Sequence, residues 1–112
     1  MKEKILEFVG NRGGGVSCVE LCSHVDGFSG SYDWFLYTNT IIWSNMSAEA
    51  ITAMNELLKE RSLIVVGSTP LVYMCDGQML NLPLAKRPKS KYKKPHWLPV
   101  VFWTAEQHKK LK

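Results

Sequence analysis

Apolar residues open the chain at the spacing of a single helical stripe, with Ile5, Leu6, Phe8 and Val9 on one side of residues 2–9. Gly10 and Asn11 are stop residues, and Gly13-Gly14-Gly15 makes a turn. A second stripe follows Ser17: Cys18, Leu21, Cys22 and Val25 line one face. Ser17 and Glu20 fit a capping box, in which each side chain satisfies the other's free backbone N–H. Asp26 and Gly27 end this helix. Residues 27–46 lose the helical period and collect aromatics: Phe28, Tyr32, Trp34, Phe35, Tyr37 and Trp43. The run Thr40–Trp43 has strand character; the stretch before it fits a loop and a short helix equally well. The strongest helical pattern covers 48–61, capped by Ser47. Ile51, Met54, Leu57 and Leu58 form its buried face, opposite Glu49, Thr52, Asn55, Glu56 and Lys59.

Leu63–Val66 reads as a strand, residues 67–70 as a turn and Leu71–Cys75 as the next strand. Asp76-Gly77 then signals a two-residue hairpin with Gln78–Leu82 returning, so a small antiparallel meander is predicted. Prolines at 83, 88, 95 and 99 exclude a continuous helix beyond it. Lys86–Lys94 reads as extended. Trp97–Trp103 is apolar and should pack on the body. Thr104 and Gln107 cap a last short helix whose lysine-rich end suits the helix dipole.

A chain of 112 residues fits one folding unit able to bury a core without staples. No apolar run approaches the ~18 residues needed to span a bilayer, and Met1-Lys2-Glu3-Lys4 does not begin a secretory signal. Three cysteines do not make a disulfide framework, so a reducing cytoplasm is expected. Charge changes the picture more. Residues 1–85 hold five bases and nine acids, a net −4, whereas residues 86–112 hold nine bases and one acid, a net +8. The pattern divides the chain into an acidic body, 1–85, with an insertion at about 27–46, and a basic, proline- and aromatic-containing tail, 86–112. Asymmetry of this kind suits an anionic partner.

The order of elements carries a resemblance. Ile5-Leu6-Glu7-Phe8-Val9 leads to Gly15-Val16-Ser17 and Val19-Glu20-Leu21. Ser47-Ala48 then runs through Leu57-Leu58 to Leu63-Ile64-Val65-Val66 and a hairpin to Tyr73. Over these residues the chain resembles the winged helix-turn-helix family, and in style it is similar to small bacteriophage proteins. The resemblance implies an α+β fold with a three-helix core, a small antiparallel β meander and a basic C-terminal tail. It also implies DNA binding by a small transcriptional regulator, with the helix at 48–61 in the major groove and the following hairpin on the backbone. Thr52, Asn55 and Lys59 would then read base edges. Two features depart from the family: some twenty residues separate the second and third helices, and the third helix exposes Glu49, Glu56 and Glu60.

In the tail, Lys86, Arg87, Lys89, Lys91, Lys93 and Lys94 can follow a phosphate backbone while Tyr92 stacks on a base. Six such contacts would give a salt slope near −5, from roughly −0.9 per contact. A solvated segment, or one paired with the acidic body, is the plainer alternative. The acidic face of the third helix and any exposed aromatics of residues 28–43 support a second function, docking of a partner protein, with the tail adding attraction; such rings more often fill a core, and that is the favoured reading of them. Cys18, Cys22 and His24 invite a metal reading, but a second ligand set would have to come from the scattered Cys75, His96 and His108. The helical stripe explains both cysteines as core residues, so no metal or cofactor is expected. Gly13-Gly14-Gly15 lacks the Lys-Ser/Thr of a phosphate loop, and the histidines offer no nucleophile–base pair. A non-catalytic protein is expected, with no membrane or small-molecule partner.

Overall fold

A computed structural model describes residues 1–87 and 91–110; Lys89, one of the expected phosphate contacts, lies outside them. The fold is α+β. Its first helix, α1 (Lys2–Asn11), buries Ile5 and Val9. The second, α2 (Cys18–His24), starts where Ser17 Oγ accepts the Glu20 backbone N–H, which is half of the expected capping box. The aromatic stretch forms a β-hairpin, β1 (Ser29–Tyr37) and β2 (Thr40–Met46), turning through Thr38-Asn39. Asn39 takes the left-handed conformation, φ 53, which asparagine tolerates better than most residues. The third helix, α3 (Ala48–Lys59), is capped by Ser47 Oγ on the Ala50 N–H and buries Ala50, Ala53, Met54 and Leu57. The strand β3 (Leu63–Gly67) follows.

The predicted meander is not formed. Residues 70–75 are a helix, α4 (Pro70–Cys75), and residues 78–82 form no strand. Asp76-Gly77 ends α4 instead of turning a hairpin. Gly77, at φ +95, donates to Met74 O, and Gln78 donates to Tyr73 O. That is the Schellman pattern, and it needs the same left-handed glycine that a hairpin turn needs. Pro70 favours the first turn of the helix. Tyr73 is buried by it, while Leu71 and Met74 face outward.

The partner of β3 comes from far along the chain. After β4 (His96–Trp97), the strand β5 (Val100–Thr104) pairs antiparallel with β3 and leads directly into α5 (Ala105–Lys110). Phe102 donates to Val16 O and accepts from the Val16 N–H, so β5 lies between Val16 and β3. A second sheet has the order β1-β2-β4, with β2 and β4 parallel. Trp34 of β1 stacks on Phe102 of β5, 6.0 Å between centroids, and ties the two sheets together. Tyr73 packs against Trp43 and Trp97, donates to Val100 O and accepts from the Cys18 N–H. The apolar run 97–103 thus packs into the body as expected, with Trp97 and Phe102 fully buried. The boundary at residue 86 marks a change of charge, not of packing.

Thr104 and Gln107 form a reciprocal capping box, as their spacing predicts. Gln107 Nε2 also donates to Val9 O and Gly10 O, which closes the free carbonyls at the end of α1. Beside it, the Trp103 ring lies over Gly14, at φ +93. A Cβ there would stand 2.0 Å from the ring, so only glycine fits.

Candidate nucleic-acid interface

The basic segment enters and leaves on strand-like hydrogen bonds. Trp97 donates to Pro83 O, and Ala85 donates to Trp97 O, so residues 83–85 run beside β4. Between these anchors the chain folds back on itself. Tyr92 Oη accepts the Arg87 N–H, and its ring stacks on His96 at 3.8 Å and 13°. His96 Nδ1 lies 2.8 Å from Lys94 O, a contact in which the ring nitrogen is the donor. The loop is also fixed to the hairpin turn: Asn39 Nδ2 donates to Tyr92 O, and the His96 N–H donates to Asn39 O.

Lys86, Arg87, Lys91, Lys93 and Lys94 are all exposed on this framework. None of the ion pairs among the described residues includes them. Tyr92 is half-buried, and one face of its ring is already covered by His96. The free base-stacking role expected of Tyr92 is thereby restricted, and a positioning role is added.

The expected base readers of α3 are placed differently. Thr52 and Lys59 are exposed. Asn55 Oδ1 accepts from Trp34 Nε1 at 2.9 Å, so its amide is engaged within the fold. The neighbouring acids carry their own counter-charge from α1: Lys2 Nζ lies 3.4 Å from Glu56 and bonds Glu60. The Glu60 hydrogen bond raises the Lys2 pKa above its ordinary value. An open groove of about 410 Å³ runs between α1 and α3, past Lys2, Glu3, Glu49, Thr52 and Glu56. The hairpin stands between α3 and the basic loop. Trp34 touches the first and Asn39 the second, and Trp34 to Tyr37 is about 10 Å of strand.

Several residues in this arrangement carried no sequence signal of their own. Asn39 and His96 fix the loop. Tyr32, Phe35 and Tyr37, read as core rings with their neighbours, are exposed on β1, whereas Phe28, Trp34 and Trp43 are buried. Asn39 is a residue type that turns favour, but with strand character evident on one side of it only, its sequence did not mark a hairpin.

The two helical cysteines are core residues, as their stripe implies: Cys18 is fully buried and Cys22 half-buried. Burial pushes both thiols up from their ordinary range, which disfavours thiolate. No group of three or more His, Cys, Asp or Glu among the described residues is placed to hold a metal ion. No helix among them is long and apolar enough to cross a membrane. Compared with protein-family models, with curated proteins and with solved structures, the chain matches none.

Proposed function

We propose that this chain is a DNA-binding protein of winged-helix type, suited to a small regulator, whose phosphate contacts come from the loop around residues 86–94. The observation that carries the reading is the set of five exposed bases, unpaired among the described residues, on a loop pinned to the body at Ala85, Tyr92 and His96. A pinned loop loses less conformational freedom on binding than a free tail, so each phosphate contact returns more of its energy. The winged-helix reading is supported by the order α1, Val16, α2, α3, β3, β5, with β5 between Val16 and β3. In that frame the basic loop lies in the wing, and the β1–β2 hairpin is inserted between the second and third helices. Acids on the outer face of α3 oppose phosphate, so the wing takes the larger share of binding.

The test is affinity for random duplex DNA at two salt concentrations. Five phosphate contacts predict a log–log slope near −4.5, a loss of about 500-fold between roughly 50 and 200 mM salt. Replacing Lys86, Arg87, Lys91, Lys93 and Lys94 by Ala removes this binding and leaves the melting temperature unchanged. Absence of binding at the lower salt, to duplex and to single-stranded DNA alike, overturns the reading. The groove between α1 and α3 favours a second reading, in which its acidic rim receives a basic segment of a partner protein. That reading expects no DNA binding in the same experiment.

A further inference from the structure

We propose that the nucleic acid this surface takes is single-stranded, with its bases stacked on Phe35 and Tyr37 of β1 and its phosphates held by the neighbouring lysines. The inference rests on the nucleic-acid reading above and narrows it.

The strand β1 is the outer strand of its sheet, paired on one side only, with β2. It exposes Phe35 (49%) and Tyr37 (38%), and Tyr32 (58%) further back. These rings are not stray surface residues far from the charge. Tyr37 is the register partner of Thr40, and Thr40 is the partner of His96. Three adjacent strands therefore place the Tyr37 backbone about 10 Å from His96 and the stacked Tyr92, at roughly 4.8 Å per strand. Asn39 joins the same turn to the loop through two hydrogen bonds. Lys91, Lys93 and Lys94 surround that joint, exposed and outside every described ion pair.

Rings beside unpaired cations match the two needs of a single strand, a stacking surface and a phosphate track. The hairpin itself holds one charged residue, Asp33, so it adds little repulsion. A duplex uses the cations but not the rings, because its base faces are already covered and exposing them costs unstacking at each step. The exposed rings of the edge strand therefore add to nucleic-acid binding only where base faces are open.

The experiment compares a fluorescently labelled oligo-thymidine single strand with a mixed-sequence duplex of equal length, by anisotropy at one low salt concentration. The expected result is single-strand affinity at least about tenfold above duplex affinity. The double variant Phe35→Ala, Tyr37→Ala is expected to lose single-strand affinity by about tenfold or more, with duplex affinity and melting temperature unchanged. Equal or duplex-preferring binding overturns the inference while the nucleic-acid reading stands; so does a double variant that still binds the single strand as tightly. Binding to neither probe overturns both. A concentration-dependent dimer that the double variant abolishes assigns the edge to a second copy of the chain, and overturns it as well.

Discussion

Asn55 shows how a single amide can be claimed by the fold. Its side chain lies on the outer face of α3, where sequence reasoning places a base reader, yet it accepts the indole N–H of the buried Trp34. Asn55→Ala is expected to cost about 1 kcal/mol, the low end for an orphaned donor because Asn55 itself is exposed to water. The melting temperature should fall by roughly 4 °C. Unchanged stability with weaker DNA binding would instead return Asn55 to recognition. Glu20 poses a different question. Partial burial is the main cause that pushes its carboxyl above the ordinary range, and Asp76 beside it adds to the shift; Arg12 and His24 oppose it. A raised carboxyl binds its proton more tightly in the folded state, so ionisation at neutral pH lowers stability, and the loss is absent below the unfolded pKa. Glu20→Gln should therefore melt higher than the parent at neutral pH. The two curves should converge as the pH drops through the carboxylate range in thermal melts; a constant gap would mean that Glu20 acts by hydrogen bonding alone.

At the level of elements, what the sequence revealed was local. Ser17, Ser47 and Thr104 are caps because a short polar side chain at a helix start satisfies a free N–H three residues on. Those signals need no knowledge of distant chain. Leu63–Val66 was legible as a strand for the same reason, but its partner was not, since β5 lies more than thirty residues further on. Asp76-Gly77 misled because a helix end and a hairpin turn both need a left-handed glycine. Pro70 at the helix start and the burial of Tyr73 between Trp43 and Trp97 separate the two. The candidate site was half legible: its cations stand in the sequence as a run, whereas its anchors at Asn39 and His96 are defined by contacts across the fold. The long-range pairing also gives a prediction. A chain cut after Leu84 loses Trp97, Phe102 and all of β5. Each large ring is worth about 3–5 kcal/mol against a total of about 5–15. The cut chain should show no cooperative unfolding transition by circular dichroism. A sharp melt near that of the full chain would show that the core does not depend on these residues.

The whole molecule is as compact as its length allows. Its radius of gyration, 13.2 Å, equals the value of about 13 Å for a single packed domain of this size, and the described residues of the basic segment are tied to the body through Tyr92 and His96. Opposite charges are consequently held in one small body, with cations on the loop around residues 86–94 and acids on α3. Added salt therefore weakens an anionic partner's attraction to the loop and a cationic partner's attraction to α3 alike, so the sign of the partner is read from which surface's charges matter. The same compactness is achieved by stitching together residues far apart in sequence: Val16 bonds Phe102, and Gln107 bonds Val9 and Gly10. During synthesis these partners emerge in order. At about 5–20 residues per second, Val16 waits several seconds for Phe102 to be made. Throughout that interval the apolar side of α1 has no β5 to cover it, so the unfinished chain shows apolar surface that the finished one buries.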